Sequence, residues 1–210
     1  MNILSIDTSG LSFTITASTN NEIISFVGKP EMTSSETVLI EIDRLINHLK
    51  ISPKDINTII YNNGPGSFTG TRVSSAIVQA IGFSNQCPVY GVNSLMLISY
   101  SIYKAIGKQK IQVIKSAFGD QVFHGLFKVD KKNILSESHV TTSTLTDVCI
   151  DTNYFLVSDN KVIIEREKHC HLLGKVMGSE LLIEYFHKYV TKKKKFYYED
   201  ALPSYAGHTI

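Results

Sequence analysis

The sequence reads as an α/β protein of two lobes, the second reduced. Three observations predict this. Up to residue 106 the chain runs strand, strand, strand, helix, strand, helix, strand, helix, with apolar residues two apart in the strands and three or four apart in the helices. After Ile106-Gly-Lys-Gln-Lys110 the plan restarts with three strands and then shrinks. Between the two middle elements of the first lobe lies a stiff loop, Tyr61-Asn-Asn-Gly-Pro-Gly-Ser-Phe-Thr-Gly-Thr-Arg72. The expected lobes are residues 1–106 and 107–210.

Asn2 to Asp7 is a short apolar strand ending in Asp-Thr-Ser-Gly. Leu11 to Ser18 alternates Phe13, Ile15 and Ala17 with Ser12, Thr14 and Thr16, so the two form a hairpin turning at Thr8 to Gly10. Glu22 to Val27 supplies a third strand. Ser34 to Leu49 is amphipathic: Val38, Leu39, Ile42, Leu45, Ile46 and Leu49 make the apolar stripe, with Glu41, Asp43, Arg44 and Asn47 opposite and a cap near Ser34 or Ser35. Ile56 to Tyr61 is a buried strand, and a second helix is expected from about Thr71 to Phe83. Its Ser74, Ser75, Ala76, Ala80 and Gly82 leave one face small and uncharged, suited to close packing inside the molecule or against a second subunit. Pro88 to Val92 is a strand, and Asn93 caps a third helix through Leu95, Leu97, Ile98, Ile102 and Ala105.

In the second lobe Ile111–Ser116, Gln121–Val129 and Ile134–Thr141 read as strands, with turns at Gly119-Asp120 and Asp130–Asn133. A short segment, Thr144 to Cys149, strand-like runs at Tyr154–Val157 and Val162–Ile164, and one helix from about Leu172 to Tyr189 complete it. No late glycine-rich stretch of the kind that holds adenosine in two-lobe kinases is legible here, and the lobe is expected to be too small to grip a nucleotide by itself. Near the carboxyl end Thr191-Lys-Lys-Lys-Lys195 precedes Phe196-Tyr-Tyr198. Basic and aromatic neighbours can bind single-stranded nucleic acid, and a lysine run after a helix end can equally be a solvated tail.

Composition sets bounds on function. With 43% hydrophobic and 19% charged residues and a net charge of +2, the chain is an ordinary globular protein whose overall charge does not single out nucleic acid. No apolar run is long enough to span a membrane and no signal-peptide pattern opens the chain, so a cytoplasmic address is expected. Cys87, Cys149 and Cys170 are odd in number and widely spaced, giving neither a disulfide framework nor a paired zinc spacing. His169-Cys170-His171 alone cannot enclose a tetrahedral ion, so no metal site is expected. No nucleophile-base pair is legible either, so no catalytic residue is assigned.

The loop carries the chemistry that remains. Pro65 fixes its own φ and disfavours helix at Gly64, while Gly64, Gly66 and Gly70 reach angles closed to other residues. Free amides and the positive end of a helix dipole at such a strand-to-helix junction suit an anion or a carboxylate. It is neither a P-loop nor a dinucleotide fingerprint. The alternative is a rigid turn with no ligand.

Asn63-Gly-Pro-Gly-Ser-Phe-Thr-Gly-Thr-Arg72, with Ile3-Leu-Ser-Ile-Asp-Thr-Ser9 and Gly91-Val-Asn-Ser-Leu95, resembles the bacterial TsaB (YeaZ) family over roughly the first hundred residues. The element order is similar to the ribonuclease-H-like half-domain that the actin-like (ASKHA) superfamily uses twice. Departures are visible: Lys115-Ser-Ala117 stands where relatives commonly have Asp-Ala-Arg, Ser34 stands where a histidine usually opens the first helix, and Ala206-Gly207 breaks the usual ending after Pro203-Ser-Tyr205.

The resemblance implies a non-catalytic scaffold or activator subunit needed for threonylcarbamoyladenosine formation on tRNA. Its partners would be a catalytic TsaD-type subunit and a TsaE-type ATPase, with a homodimer when alone and tRNA met indirectly through the complex. Docking would use the helices Ser34–Leu49 and Thr71–Phe83, through Val38, Glu41, Ile42, Leu45, Arg72, Ser74, Ser75, Val78 and Gln79. Asp7, Thr8, Ser9, Gly64, Gly66, Ser67, Thr69, Gly70 and Arg72 would lie near any phosphate. No cofactor would be held tightly by the isolated chain, and ATP with magnesium would sit at the partner junction. The other reading is a small ATP-dependent kinase or hydrolase of the actin-like superfamily using Asp7, Thr8 and Ser9 around magnesium-phosphate.

Overall fold

In the computed structural model residues 1–10, 12–29, 32–173, 178–190 and 197–204 are described. They form two compact units. The first comprises Met1–Ser94 with the described residues of 177–204, and the second runs from Leu95 through the described residues up to 173.

In the first unit strands β1 (Ile3–Asp7), β2 (Thr14–Ser18), β3 (Ile23–Val27), β4 (Thr58–Gly64) and β5 (Val89–Asn93) make one sheet in the order β3-β2-β1-β4-β5. β1 is antiparallel to β2, Ile6 facing Ile15, and parallel to β4, Ile6 facing Tyr61. Helix α1 (Ser34–His48) crosses from β3 to β4 and α2 (Phe68–Asn85) from β4 to β5. This is the ribonuclease-H-like order expected. Successive side chains alternate between sheet faces, so Leu4, Ile6, Ile15, Ile59, Tyr61 and Val89 join Val38, Ile42, Leu45, Ile46 and Val78 of α1 and α2 in one core.

The other face carries Ser5 together with Thr14 and Thr16, the latter two opposed to the apolar set by the alternation. Helix α5 (Gly178–Tyr185) covers it. The Ser5 hydroxyl donates to the Ser179 carbonyl at 2.8 Å, the Ser179 amide donates to Thr14 Oγ1 at 2.9 Å, and the Thr16 and Ser179 hydroxyls meet at 2.7 Å. Small polar side chains let the first turn of α5 sit flush on the strands while satisfying its buried polar groups. The carboxyl-terminal helix therefore belongs to the first unit, not to a second lobe reaching residue 210, and the boundary falls at Ser94/Leu95 rather than after Ile106. The expected single helix over Leu172–Tyr189 is instead strand β11 (His171–Leu172), α5 and a wide helical turn, Phe186–Val190.

The second unit holds α3 (Ser94–Ile106, from Leu95), β6 (Lys110–Ser116), β7 (Gln121–Val129), β8 (Ile134–Ser136), β9 (Thr141–Thr144), β10 (Phe155–Ser158), α4 (Lys161–Arg166) and β11. The strands order as β11-β10-β6-β7-β8, with β9 also on β7. Ile114, Val122, Val148, Leu156 and Ile163 form a core on one face. Val162–Ile164, expected as strand, is helical because Asn160 caps it: its side chain accepts from the Val162 and Ile163 amides at 3.0 and 3.2 Å. No helix among the described residues is long and apolar enough to cross a membrane. The Thr191–Lys195 run, Phe196, Tyr205, Ala206 and Gly207 lie outside the described residues.

Candidate functional site

The candidate site lies at the carboxyl ends of β1 and β4, where ligands commonly meet parallel strands. Two turns interlock there. Asp7 organises the first: its Oδ1 accepts from the Ser9 amide at 2.9 Å and the Ser9 hydroxyl at 2.8 Å, and its Oδ2 accepts from Asn62 Nδ2 at 3.1 Å. Asn62 Oδ1 in turn accepts from the Gly64 amide at 3.0 Å. Thr8 and Ser9 are buried.

The second turn begins α2. Strand β4 continues through Asn62 and Asn63 to Gly64, three residues beyond the expected end, and α2 starts at Phe68, three residues before its expected start. Ser67 is the N-cap, its hydroxyl accepting from the Gly70 amide at 3.2 Å. The turns are joined by the Ser67 amide to the Ser9 carbonyl at 2.8 Å and the Thr8 hydroxyl to the Gly70 carbonyl at 2.6 Å.

Their closeness explains two glycines. A Cβ on Gly66 would stand 2.3 Å from the Ser9 carbonyl oxygen, and one on Gly70 only 1.9 Å from that of Thr8. Gly178 faces Asp7 in the same way, its missing Cβ falling 1.9 Å from Asp7 Oδ2 at the start of α5. Gly64 has a separate reason, φ of +101°, in the range that favours glycine. These glycines admit neighbouring backbone and side chain.

The nine residues expected near phosphate thus gather on adjoining segments, but with most of their hydrogen-bonding capacity turned inward. Ser67 and Thr69 lie on the exposed start of α2. Arg72 folds back on its own helix: Nη1 donates to the Phe68 carbonyl at 3.0 Å and the guanidinium lies 3.3 Å from the Phe68 ring centroid.

A feature missed in the sequence braces this loop. Tyr197–Ser204 straps across α2 and the end of β4. The Ser204 amide donates to the Asn63 carbonyl at 2.7 Å, Gln79 Nε2 to the Ala201 carbonyl at 3.1 Å, and the Tyr61 hydroxyl to the Leu202 carbonyl at 3.2 Å. Tyr198 packs on Gly82 and meets Phe83 edge-on at 5.3 Å. Burial pushes the Tyr61 phenol up to about 12. The signal available was Gly82, whose Cβ would lie 2.9 Å from that of Tyr198.

The residues expected to meet a partner are placed differently. Val38, Ile42, Leu45 and Val78 are core residues, and Ser74 and Ser75 are buried as well. Glu41, assigned to the polar face, is only 4% exposed and accepts a bond from exposed Arg44 at 2.6 Å. Their side chains pack inward because α1 and α2 each spend their best apolar stripe on the sheet. The α1 cap is Thr33, not Ser34 or Ser35, and its hydroxyl bonds the Glu36 carboxylate rather than a backbone amide. What these neighbouring helices turn outward is Leu39 (58% exposed) and Ile40 (54%) on α1, with Phe68 (68%), Arg72, Ala76, Ala80 and Phe83 (61%) on α2.

Among the described residues no group of three histidine, cysteine, aspartate or glutamate side chains is placed to hold a metal ion. His124 of β7 is half-buried, with its Nε2 2.7 Å from Ser143 Oγ and 3.0 Å from Thr141 Oγ1, and burial lowers its pKa.

A family model described as TsaD, tRNA N6-adenosine threonylcarbamoyltransferase, matches residues 29–165. The protein named tRNA threonylcarbamoyladenosine biosynthesis protein TsaB of Buchnera aphidicola subsp. Schizaphis graminum (strain Sg) is 27% identical over 173 residues, covering 79% of this chain and 81% of that one. The Bacillus subtilis (strain 168) protein of the same name is 26% identical over 175 residues, 83% and 71% of the two chains. YeaZ from Pseudomonas aeruginosa superposes with a TM-score of 0.83 at 19% identity, over 97% of this chain and 99% of that one, and so shares its fold. With the interlocked turns, the ribonuclease-H-like sheet and the reduced second unit of an actin-like (ASKHA) plan, these matches establish that the chain belongs to the TsaB (YeaZ) family, within the wider group that the TsaD model describes.

Proposed function

We propose that the chain is a non-catalytic scaffold and activator subunit in the formation of threonylcarbamoyladenosine on tRNA, docking on a catalytic TsaD-type subunit by the outer faces of α1 and α2. The relatives' names support the pathway. One observation carries the docking: Leu39, Ile40, Phe68 and Phe83 stand more than half exposed on two neighbouring helices whose inner stripes already hold the core. Apolar side chains left at the surface of neighbouring helices support a docking face. The same surface pairs two copies when the partner is absent. ATP with magnesium binds at the junction with the catalytic subunit, and a TsaE-type ATPase completes the assembly.

The inward turning of Asp7, Thr8 and Ser9 supports this reading over a stand-alone kinase. A magnesium-phosphate site needs carboxylate and hydroxyl oxygens to face the ligand, whereas these already serve Ser9, Asn62 and Gly70. The test is reconstitution of tRNA modification from catalytic subunit, ATPase and this chain. Omission of the chain is expected to abolish product, and the chain alone to make none. Full activity without it, or turnover by it alone, rejects the proposal.

A further inference from the structure

One end of the second unit's sheet gathers lysines. Lys108, Lys110, Lys128, Lys131 and Lys132 stand there against Asp130, Glu137 and Asp151, a formal +2. Lys110 and Lys128 stand directly opposite each other in the antiparallel β6/β7 pair, and the next partner of Lys128 across β8 is Leu135, not a carboxylate. Like charges facing across a strand pair repel, so this register opposes folding stability. Both lysines are exposed, as are Lys108, Lys131 and Lys132 at the same sheet end.

Aromatic rings are set among these charges. Lys110 Nζ lies 5.6 Å from the Tyr154 ring centroid and Lys108 Nζ 5.5 Å from that of Phe155. Phe155 stacks on His171 at 4.2 Å with an interplanar angle of 20°. Three carboxylates stand nearby: Asp130 Oδ1 accepts from the Lys132 and Asn133 amides and its charge attracts Lys128 and Lys132, Asp151 Oδ1 accepts from Asn153, and Glu137 accepts from the Tyr154 hydroxyl. The Val129 amide donates to the Gln109 carbonyl at 2.8 Å and ties the segment before β6 to β7.

We propose that this end of the second unit, Lys108, Lys110 and Lys128 with Tyr154, Phe155 and His171, is an RNA-contacting surface. The lysines take backbone phosphates and the rings take unstacked bases. The contact is direct, beyond the indirect encounter with tRNA that the resemblance implies. It rests on the proposed pathway only for the choice of tRNA as probe.

The test is binding of the full-length chain to a tRNA transcript, followed by fluorescence anisotropy over a series of salt concentrations. Lys110→Gln with Lys128→Gln is expected to weaken binding and to lower the slope of log K against log salt by about 1 per lysine. Its melting temperature should hold or rise, because a repulsion is removed. Tyr154→Ala is expected to weaken binding with the slope unchanged, while Lys29→Gln with Lys54→Gln in the first unit changes neither. The proposal is overturned if the Lys110/Lys128 variant keeps both affinity and slope, if substitution of Lys192–Lys195 alone removes all binding, or if the variant loses the catalytic subunit and not RNA. Each readout uses the isolated chain except the last, so failure of the pathway assignment shows separately, in reconstitution.

Discussion

Gly70 faces the Thr8 carbonyl so closely that any side chain must push two turns apart. Gly70→Ala is expected to cost about 1–3 kcal/mol, the usual range for overpacking, measured by urea unfolding. Gly119 has a φ of +66°, and a Cβ placed there would meet no atom within 4 Å, so this position isolates backbone strain and Gly119→Ala should cost about 1 kcal/mol. A Gly70→Ala penalty no larger than that of Gly119→Ala would remove the interlock from the explanation. His124 gives a pH effect with a definite sign. Burial lowers its folded pKa below the ordinary value near 6.5, so the unfolded chain binds the proton first. Stability should fall as pH drops below about 6.5, and His124→Gln should flatten that part of a stability profile.

At the scale of elements, the helices α1 and α2 each have an inner stripe that folds and an outer one that we propose docks. Ile40→Asp is expected to change unfolding free energy by no more than about 0.5 kcal/mol while reducing affinity for the catalytic subunit at least about tenfold in titration. Val38→Asp, on the same helix but fully buried, should unfold the first unit instead. The Tyr197–Ser204 strap is a second element with a testable role. Tyr198→Ala removes the contacts with Gly82 and Phe83 and should destabilise by about 1–3 kcal/mol in thermal melts, leaving Leu39 and Ile40 on α1 untouched. Periodicity could show that α1 and α2 are amphipathic. It could not show which side of Glu41 faces in, because one carboxylate can be buried when Arg44 reaches over it.

For the whole molecule, the first unit is completed by a helix more than eighty residues later in the chain. The strands and helices of this unit were readable from local pattern, since each announces its period within a few residues. The return of α5 onto Ser5, Thr14 and Thr16 was not, because polar strand residues look the same whether they face water or a helix that bonds to them. Under the proposed scaffold role the isolated chain is expected to show no micromolar heat of binding with ATP and magnesium by calorimetry. Saturable micromolar binding would favour the stand-alone enzyme.

By itself the amino-acid order determined the α/β class, the strand-helix alternation of the first ninety residues, the stiff loop and the family it belongs to, all of which depend on neighbours close in sequence. Only the tertiary structure decided that Gly66, Gly70 and Gly178 serve close approach, that Val38, Ile42, Leu45 and Val78 of the expected interface are core, and that α5 and the Tyr197–Ser204 strap brace the first sheet and α2. These facts depend on which distant groups come within a few ångströms, and no local spacing records that.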